Sequence, residues 1–389
     1  MNGECIKNTF MEQKMICRPL AYVFSCLMAS AMMISCAERQ YVHESVLVDP
    51  HIMMHTDDFL KDSKGIRLSK SDSCVISQIE AVKMVNDGLL VSDRNQLYLF
   101  DMDGNLVSRI GHRGKGHGEY LSVEDFDVVG DKVVVLSGFQ KTLLEYARDG
   151  KFMKGHALDD EYFKFYPLDG RRLVLASHSS NNTHTNFVWY DLTADKKEGS
   201  SGHFDKNQAM LFGGFNAFVG KNDHMLVTSP FDYSVYSLPK DGGEMERLAT
   251  FDFKTRVKLP ADAETKDYFE LYESTKNRNV VKYLQGYVEK GKDRYLMYPL
   301  FDLTGGIKTC ITRIEEDGSN RTYRIGQEED RFYRYFGMGD YMGTIGDRII
   351  MACPSDRILR LEKERGLTYF TKSGLKQDDN PVVFIYTLK

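Results

Sequence analysis

Residues 87–120 of the chain read DGLLVSDRNQLYLFDMDGNLVSRIGHRGKGHGEY. Three apolar-rich runs, at 89–91, 97–100 and 106–110, are separated by Ser-Asp-Arg-Asn and by Asp-Gly-Asn. An aspartate-glycine pair between apolar runs is the strongest short-range signal of a β-hairpin, because glycine readily adopts the positive φ of such turns. The segment therefore predicts three short antiparallel strands followed by a glycine-rich loop.

Weaker copies of this unit recur along the chain. The turns that precede the second strand of each copy fall at Asp87, Asp131, Gly170, Asn222, Gly291 and Gly346. The gaps between them are 44, 39, 52, 69 and 55 residues, against roughly 40–50 residues per blade in known propeller repeats. The pattern predicts an all-β fold, a six-bladed β-propeller of four-stranded antiparallel blades.

Two short helical insertions are predicted, and the first explains the longest gap. Residues 254–276 contain PADAETKDYFELYEST, whose apolar residues follow helical spacing after a Pro-Ala-Asp start. Removing this insertion restores the period of the long fourth gap. A second helix is predicted in the last blade, starting near Pro354 and ending at Gly366.

The last blade lacks one strand. Its final strand is predicted at 382–388, and two amino-terminal runs without a hairpin partner, 46–48 and 66–68, are candidates for the missing outermost strand. Such a strand closes the ring, and closure protects edges that would otherwise expose unpaired backbone groups.

The amino terminus is interpreted as an export signal. Lys14 and Arg18 form a positive region, and residues 20–34 are apolar or small apart from two serines, a run shorter than the roughly 20 residues of a spanning helix. Met-Ile-Ser before Cys36 resembles a bacterial lipobox, whose cysteine is acylated; an ordinary signal peptide or an uncleaved anchor is the alternative. The predicted divisions are a signal peptide (1–35), a lipid-anchored tether with a candidate closing strand (36–65) and the propeller domain (66–389).

Composition narrows the functional classes. Beyond Cys36, the thiols are Cys74, Cys310 and Cys353, too few and too scattered for a dense disulfide framework or a CxxC zinc site. The formal net charge of −5 does not create the positive electrostatic potential that attracts nucleic acid. We expect a monomer that meets the membrane only through its lipid anchor.

Two motifs resemble those of a known family. Residues 110–120, IGHRGKGHGEY, resemble the "iG..G.GpGEy" signature of the six-bladed β-propeller lipoproteins of Bacteroidetes, which are similar to NHL-type propellers, with His117 where proline is usual. Residues 379–389, DNPVVFIYTLK, look like the terminal strand of that family. The resemblance implies the fold and an outer-membrane lipoprotein, facing the periplasm or the cell surface. It supplies no catalytic residues.

Propeller geometry places the candidate ligand-binding residues on one face. Because strands alternate in direction, the loop entering each blade and the loop between its second and third strands emerge together. The candidates on these loops are Arg94, His112, Arg113, His117, Phe139, His178, Phe231, Asp232, Phe301 and Asp302. Aromatic rings beside charged groups suit a sugar or a peptide. The alternative is that these residues only form turns and close the blade ends.

Metal and catalytic motifs are weak. His112, His117 and Glu119 share one loop and are the candidate ligands of a cation. The glycines between them indicate a turn, however, and no pair of ligands stands at the fixed spacing of a known metal site. Neither a metal nor another cofactor is therefore expected. No GxSxG motif occurs.

The leading hypothesis is a lipid-anchored envelope propeller that binds a glycan, a peptide or an envelope protein. The alternatives are a lactonase-type or lyase-type enzyme acting on a saccharide-derived substrate at the central funnel, and a purely structural scaffold.

Overall fold

Six antiparallel sheets surround a central axis, so the six-bladed β-propeller predicted from the repeat is confirmed. The computed structural model describes residues 44–86, 88–93, 96–177, 185–203, 218–221, 225–228, 232–254, 258, 268–276, 279–302, 306–325 and 335–389. Among these residues, no helix combines the length and the hydropathy needed to cross a membrane.

The first elements precede the blades. They are β1 (Glu44–Val48), helix α1 (Thr56–Phe59) and β2 (Leu60–Arg67). Blade one contains β3 (Ala81–Val85), β4 (Gly88–Ser92), β5 (Leu97–Asp101) and β6 (Leu106–Ile110). Blade two contains β7 (Asp125–Val129), β8 (Lys132–Ser137), a 3₁₀ turn (Gly138–Gln140), β9 (Thr142–Tyr146) and β10 (Phe152–Ala157). Blade three contains β11 (Tyr162–Pro167), β12 (Arg172–Ser177), β13 (Thr185–Asp191) and β14 (Lys196–His203).

The second half of the ring carries the insertions. Blade four contains β15 (Phe218–Lys221), β16 (Met225–Val227), β17 (Ser234–Leu238) and β18 (Glu246–Phe253). Helix α2 (Tyr268–Thr275) then precedes blade five, with β19 (Val280–Val281), β20 (Gly286–Lys290), β21 (Asp293–Asp302), β22 (Gly306–Ile314) and β23 (Asn320–Arg324). Blade six contains β24 (Asp340–Ile345), β25 (Arg348–Cys353), helices α3 (Ser355–Arg365) and α4 (Tyr369–Lys372), and β26 (Val382–Leu388).

The two predicted helices are present as α2 and α3. Helix α3 follows Pro354 and ends at Gly366, whose φ of 64° closes the helix in the left-handed region. Helices α1 and α4 were not predicted, because four-residue helices leave no periodic signal.

The Asp-Gly hairpin at residues 103–104 joins β5 to β6. Asp101 Oδ1 accepts hydrogen bonds from the backbone N–H groups of Asp103 and Asn105. Gly104 has a φ of 87°, and a Cβ at this position would lie 2.1 Å from the carbonyl oxygen of Arg67. Glycine is therefore required both by the turn and by the close approach of β2.

The ring is closed by β2, which pairs antiparallel with β26 and aligns Ile66 with Val383. The expectation that the amino-terminal region supplies the outermost strand of blade six is confirmed, and the strand starts at Leu60, within the predicted tether. The other candidate, 46–48, is wrong for this role. It belongs to β1, which pairs in parallel with β18 on the outer edge of blade four.

Residues 44–67, here called the amino-terminal arm, thus follow the outer edges of three blades. Between β1 and β2 the arm contacts blade five, where the Thr322 N–H donates to Ile52 O and the Met54 N–H donates to Thr322 O. Asn320 Nδ2 also donates to Leu47 O at 2.7 Å. The arm is part of the propeller.

Apolar side chains fill the spaces between blades. Leu90, Phe126 and Tyr146 belong to one buried cluster between blades one and two. Cys310 and Cys353 are buried as free thiols, and burial raises the pKa of each to about 12. Thiols held in the protonated form are poor nucleophiles, so these cysteines act as core residues.

Candidate binding face

The alternating strands define two faces of the ring. We call the upper face the one that carries the loops entering the first strand of each blade and the loops between its second and third strands. Most of the predicted site residues lie on this face. Arg94, His178 and Phe231 lie outside the described residues, as does the lipidation candidate Cys36.

Residues 111–120, here called the glycine loop, connect β6 to β7. Glu119 organises this loop: its Oε2 accepts a hydrogen bond from the Gly116 N–H at 2.7 Å, and its Oε1 lies 2.7 Å from His112 Nε2. The Gly116 hydrogen bond and His112 together hold the pKa of Glu119 below its usual value. A Cβ at Gly114 would lie 1.8 Å from Glu119 Oε2. The loop therefore needs this glycine so that the carboxylate can turn inward.

Tyr120 fixes the end of the glycine loop to blade one. Its buried hydroxyl donates to Ile110 O at 2.9 Å and accepts from Gln96 Nε2 and the Leu97 N–H. Glu119 and Tyr120, the most specific residues of the sequence motif, therefore have structural roles.

The histidines of the glycine loop have different neighbours. His112 pairs with Glu119, whereas the His117 ring contacts Phe152 edge to face, with ring centroids 4.8 Å apart. In the part of the chain that the structure describes, no group of three or more histidine, cysteine or acidic side chains is placed to hold a metal ion. His112, Arg113 and His117 are exposed on the upper face.

Phe139 lies at the tip of the 3₁₀ turn Gly138–Gln140, beside the glycine loop. The Gly138 N–H donates to Glu124 Oε2 at 2.6 Å, and Gln140 Oε1 accepts from the Leu121 N–H at 2.9 Å. Phe139 itself is 79% exposed. We call the glycine loop together with this turn the blade-two corner.

The remaining candidates lie in blades four and five. Asp232 accepts hydrogen bonds from the Ser234 N–H and from the Tyr236 hydroxyl, so it stabilises its own turn. Phe301 is the penultimate residue of β21, and the Lys282 ammonium lies 4.6 Å from the centre of its ring. Burial lowers the pKa of Lys282. Asp302 is the last residue of β21, and its side chain lies outside the described residues.

Sequence reasoning missed a charged group on the innermost strands, here called the channel cluster. Lys83 of β3 contacts Asp125 at 2.9 Å and Asp127 at 3.5 Å, both on β7. Lys164 of β11 contacts Asp125 at 3.5 Å, and the Phe165 N–H donates to the same carboxylate at 2.9 Å. Asp125 thus joins three blades.

Electrostatics keep the channel cluster charged. Asp125 is buried, which opposes ionisation, but the two lysines and the Phe165 N–H hold its pKa below the usual value. The two aspartates likewise raise the pKa of Lys83 in spite of its burial. The sequence pattern that could have revealed this cluster is Asp-Phe-Asp at 125–127, in which charged and apolar residues alternate along a strand.

A second missed group, here called the interblade cluster, joins the outer part of blade two to blade three. His156 is fully buried, with Nε2 2.7 Å from Glu145 Oε1 and Nδ1 2.5 Å from Asp195 Oδ1. Lys132 contacts the other oxygen of Glu145, and the Tyr190 hydroxyl donates to Asp195. These hydrogen bonds from Tyr190 and His156 lower the pKa of Asp195.

Comparison with known proteins identifies the family. Residues 49–387 match the family described as a domain of unknown function, DUF4934, and the chain belongs to this family. No curated protein matches the chain.

Two solved structures share the fold. A protein from Bacteroides fragilis that is described as exported has a TM-score of 0.69 and 17% identity, over 89% of this chain and 100% of that chain. A member of the DUF4221 family from Bacteroides vulgatus has a TM-score of 0.50 and 8% identity, over 88% of this chain and 99% of that chain. At these identities the likeness shows the fold alone.

Proposed function

We propose that this member of the DUF4934 family is a lipid-anchored protein of the cell envelope whose propeller binds a partner through its upper face. The observation that carries the proposal is the distribution of exposed large apolar side chains. Nine occur among the described residues. Four of them lie on upper-face loops or at the strand ends beside them: Val75, Phe139, Ile307 and Tyr369.

The other five lie on the amino-terminal arm or at the starts of outer strands, beside the hairpins of the opposite face. Three belong to the amino-terminal arm and two to outer strands: Leu47, Ile52, Met53, Val107 and Met153. Among the described residues, the opposite face therefore exposes two large apolar side chains, Val107 and Met153, against four on the upper face. Apolar groups concentrated on one face of a soluble domain favour an interaction surface.

The channel cluster supports binding at the rim of the upper face. Asp125 and Asp127 already neutralise Lys83, and Asp125 also pairs with Lys164. A charged ligand on the axis would have to displace these pairs and leave buried charges without partners, which is costly. The exposed loops need no such rearrangement.

The anchor is proposed from the sequence. The positive and apolar segments before Cys36 resemble a lipoprotein signal, and the similar protein from Bacteroides fragilis is described as exported. We infer that acylated Cys36 tethers the propeller to the outer membrane, as in the NHL-like lipoprotein propellers that the glycine loop resembles.

Metabolic labelling with an alkyne palmitate tests the anchor. The full chain should incorporate the label and sediment with membranes, whereas Cys36→Ala should lose the label and become soluble. A labelled, membrane-bound Cys36→Ala protein would contradict lipidation at this residue.

Peptide and glycan arrays, probed with the chain from residue 37 onward, test the binding module. We expect a ligand whose retention falls in Tyr369→Ala and Val75→Ser. Met153→Ala, on an outer strand, is the matched control and should leave retention unchanged. Turnover of a saccharide-derived substrate in a hydrolase and lyase panel would instead support the enzyme hypothesis.

A further inference from the structure

The amino-terminal arm exposes a group of apolar side chains, here called the arm patch. Its members are Leu47, Ile52 and Met53, which are 54%, 48% and 44% exposed. Three of the nine exposed large apolar side chains of the described residues therefore lie within one stretch, 47–53. Single exposed apolar residues are ordinary on a protein surface, but a group of them on one segment marks an interaction surface.

The backbone that carries the arm patch is fixed to blades four and five. Val46 and Val48 on β1 belong to the buried cluster between these blades, so the alternation of a strand turns the Leu47 side chain to the opposite side. The Ile52 carbonyl accepts a hydrogen bond from the Thr322 N–H at 2.6 Å. Apolar side chains on a fixed backbone lose little entropy when another surface covers them.

The carboxylates beside the arm patch are paired with lysines. Asp49, which follows β1, contacts Lys254 at 3.0 Å. Asp252, which is aligned with Leu47 across the β1–β18 pair, contacts Lys258. An apolar surface with paired charges at its border can meet a medium of low polarity without exposing a single uncompensated carboxylate to it.

The arm patch lies a short way along the chain from Cys36. Residues 37–43 separate Cys36 from β1, and the eight residue steps from Cys36 to Glu44 span at most about 29 Å when fully extended. A bilayer that holds the acyl chains of Cys36 is therefore kept within reach of the arm. A second copy of the chain or a separate protein is not linked to the arm in this way.

We propose that the arm patch contacts the bilayer in which acylated Cys36 is anchored, with its apolar side chains at the boundary between headgroups and acyl chains. The inference rests on the proposed lipidation of Cys36 and adds a second membrane contact to the anchor. Apolar side chains that reach this boundary gain free energy from burial and strengthen the attachment of a lipid anchor. The contact sets the outer edge of blades four and five against the bilayer and leaves the upper face open to a partner.

Quenching of tryptophan fluorescence by lipids with brominated acyl chains tests the contact. The chain from residue 36 onward is coupled through the Cys36 thiol to a maleimide phospholipid in vesicles of phosphatidylethanolamine and phosphatidylglycerol, so the test does not depend on acylation in the cell. Cys74, Cys310 and Cys353 are buried thiols and should stay unlabelled. Because bromine quenches only at contact distance, a ring that is tethered in water beside the bilayer keeps its fluorescence.

The fluorescence of Ile52→Trp should be quenched. Val107→Trp, on an outer strand of blade one, is the matched control, because Val107 is as exposed as Leu47 and lies outside the arm; it should not be quenched. Val75→Trp, on the upper face, should not be quenched either. The native Trp189 is buried and supplies the background signal. In the Ile52→Trp chain, adding Leu47→Ser and Met53→Ser should reduce the quenching at least about threefold.

The outcomes separate this inference from the proposed function. Equal quenching at positions 52 and 107, quenching at position 75 instead of 52, or quenching that the two serine substitutions leave unchanged would each overturn the arm contact. An unquenched Ile52→Trp chain that sediments as a dimer would assign the patch to a second copy and also overturn it. Quenching as expected, in a chain whose Cys36 takes up no palmitate in cells, would support the arm contact and refute the lipidation. Thermal melts confirm that each variant is folded.

Discussion

Blade two carries two polar regions of opposite character, the channel cluster around Asp125 and the blade-two corner around Phe139. The carboxylate of Asp125 is buried and satisfied by groups from blades one and three. At the corner, the charged side chains of Arg113 and Lys115 are exposed and the backbone is fixed by hydrogen bonds. Buried charges with internal partners hold the ring together, whereas the charges of the glycine loop lie at the surface of the molecule.

The amino-terminal arm belongs with the regions that hold the ring. Its buried apolar residues are Val46, Val48, Met54, Phe59, Leu60 and Ile66. It covers the outer edges of blades four to six, while the channel cluster joins blades one to three at their inner strands. The two halves of the ring are therefore stabilised by different interactions.

Removal of the arm should have the largest effect. Each of its six buried apolar side chains contributes roughly 1.5–3 kcal/mol, and their sum rivals the total stability of about 5–15 kcal/mol typical of a domain. A chain starting at Leu68 should therefore fail to unfold cooperatively in thermal circular dichroism. A chain starting at residue 37 keeps the arm and serves as the control; identical melting curves would refute the role of the arm.

Asp125→Ala should come next, with a loss of about 3–5 kcal/mol in the free energy of unfolding. The substitution removes the carboxylate that the half-buried Lys83 and Lys164 share and leaves the buried Phe165 N–H without its acceptor, while Lys83 keeps only Asp127. Urea unfolding measures the effect, and Asp149→Ala, at an exposed turn, is the control that should leave unfolding unchanged. If Asp125→Ala left the free energy of unfolding almost unchanged, the channel cluster would not stabilise the contact between blades.

The same residue predicts a pH dependence. Because the pKa of Asp125 is lower in the folded than in the unfolded chain, its contribution is complete above the unfolded value of about 3.9 and is lost as the pH falls through the folded value. Asp125→Asn removes this ionisation. Its stability should therefore fall less steeply than that of the wild type on acidification, and parallel curves would contradict the assignment.

Glu362→Gln should have an intermediate effect. The buried carboxylate of Glu362 accepts hydrogen bonds from the Tyr335 hydroxyl, the Phe370 N–H and both donors of Thr371, and thereby fixes α4 to α3. Burial opposes its ionisation, but these donors lower its pKa. An amide mismatches at least one donor, at a cost of about 1–3 kcal/mol. Limited proteolysis of Glu362→Gln should cleave residues 354–381 faster than blade one. Equal cleavage rates in the two regions would contradict this role of Glu362.

Much of the fold was predictable because its signals are local. Asp-Gly turns and apolar runs lie within a few residues of each other, and their repetition gives the number of blades. The parallel pairing of β1 with β18 was missed because a strand added to a distant edge has no hairpin signature. Closure by β2 could be predicted only because blade six lacked a strand.

The candidate site was predictable in part. Loop topology placed His112, Arg113 and Phe139 on the upper face, but it could not reveal that Glu119 turns inward or that Glu124 and Gln140 fix the turn at Phe139. The channel cluster pairs residues about 40 positions apart on different strands, as between Lys83 and Asp125. Such pairs depend on the register between blades, which the sequence pattern does not encode.

The most direct test of the account measures stability and binding in the same two variants. Retention of the array ligand reports binding, and urea unfolding reports stability. Phe139→Ala should lose most of the retention while its free energy of unfolding stays within about 0.5 kcal/mol of the wild type, and Asp125→Ala, kept below its melting temperature, should lose stability and retain the ligand. The opposite pattern, or loss of both properties in both variants, would contradict the division between residues that hold the ring and residues that bind.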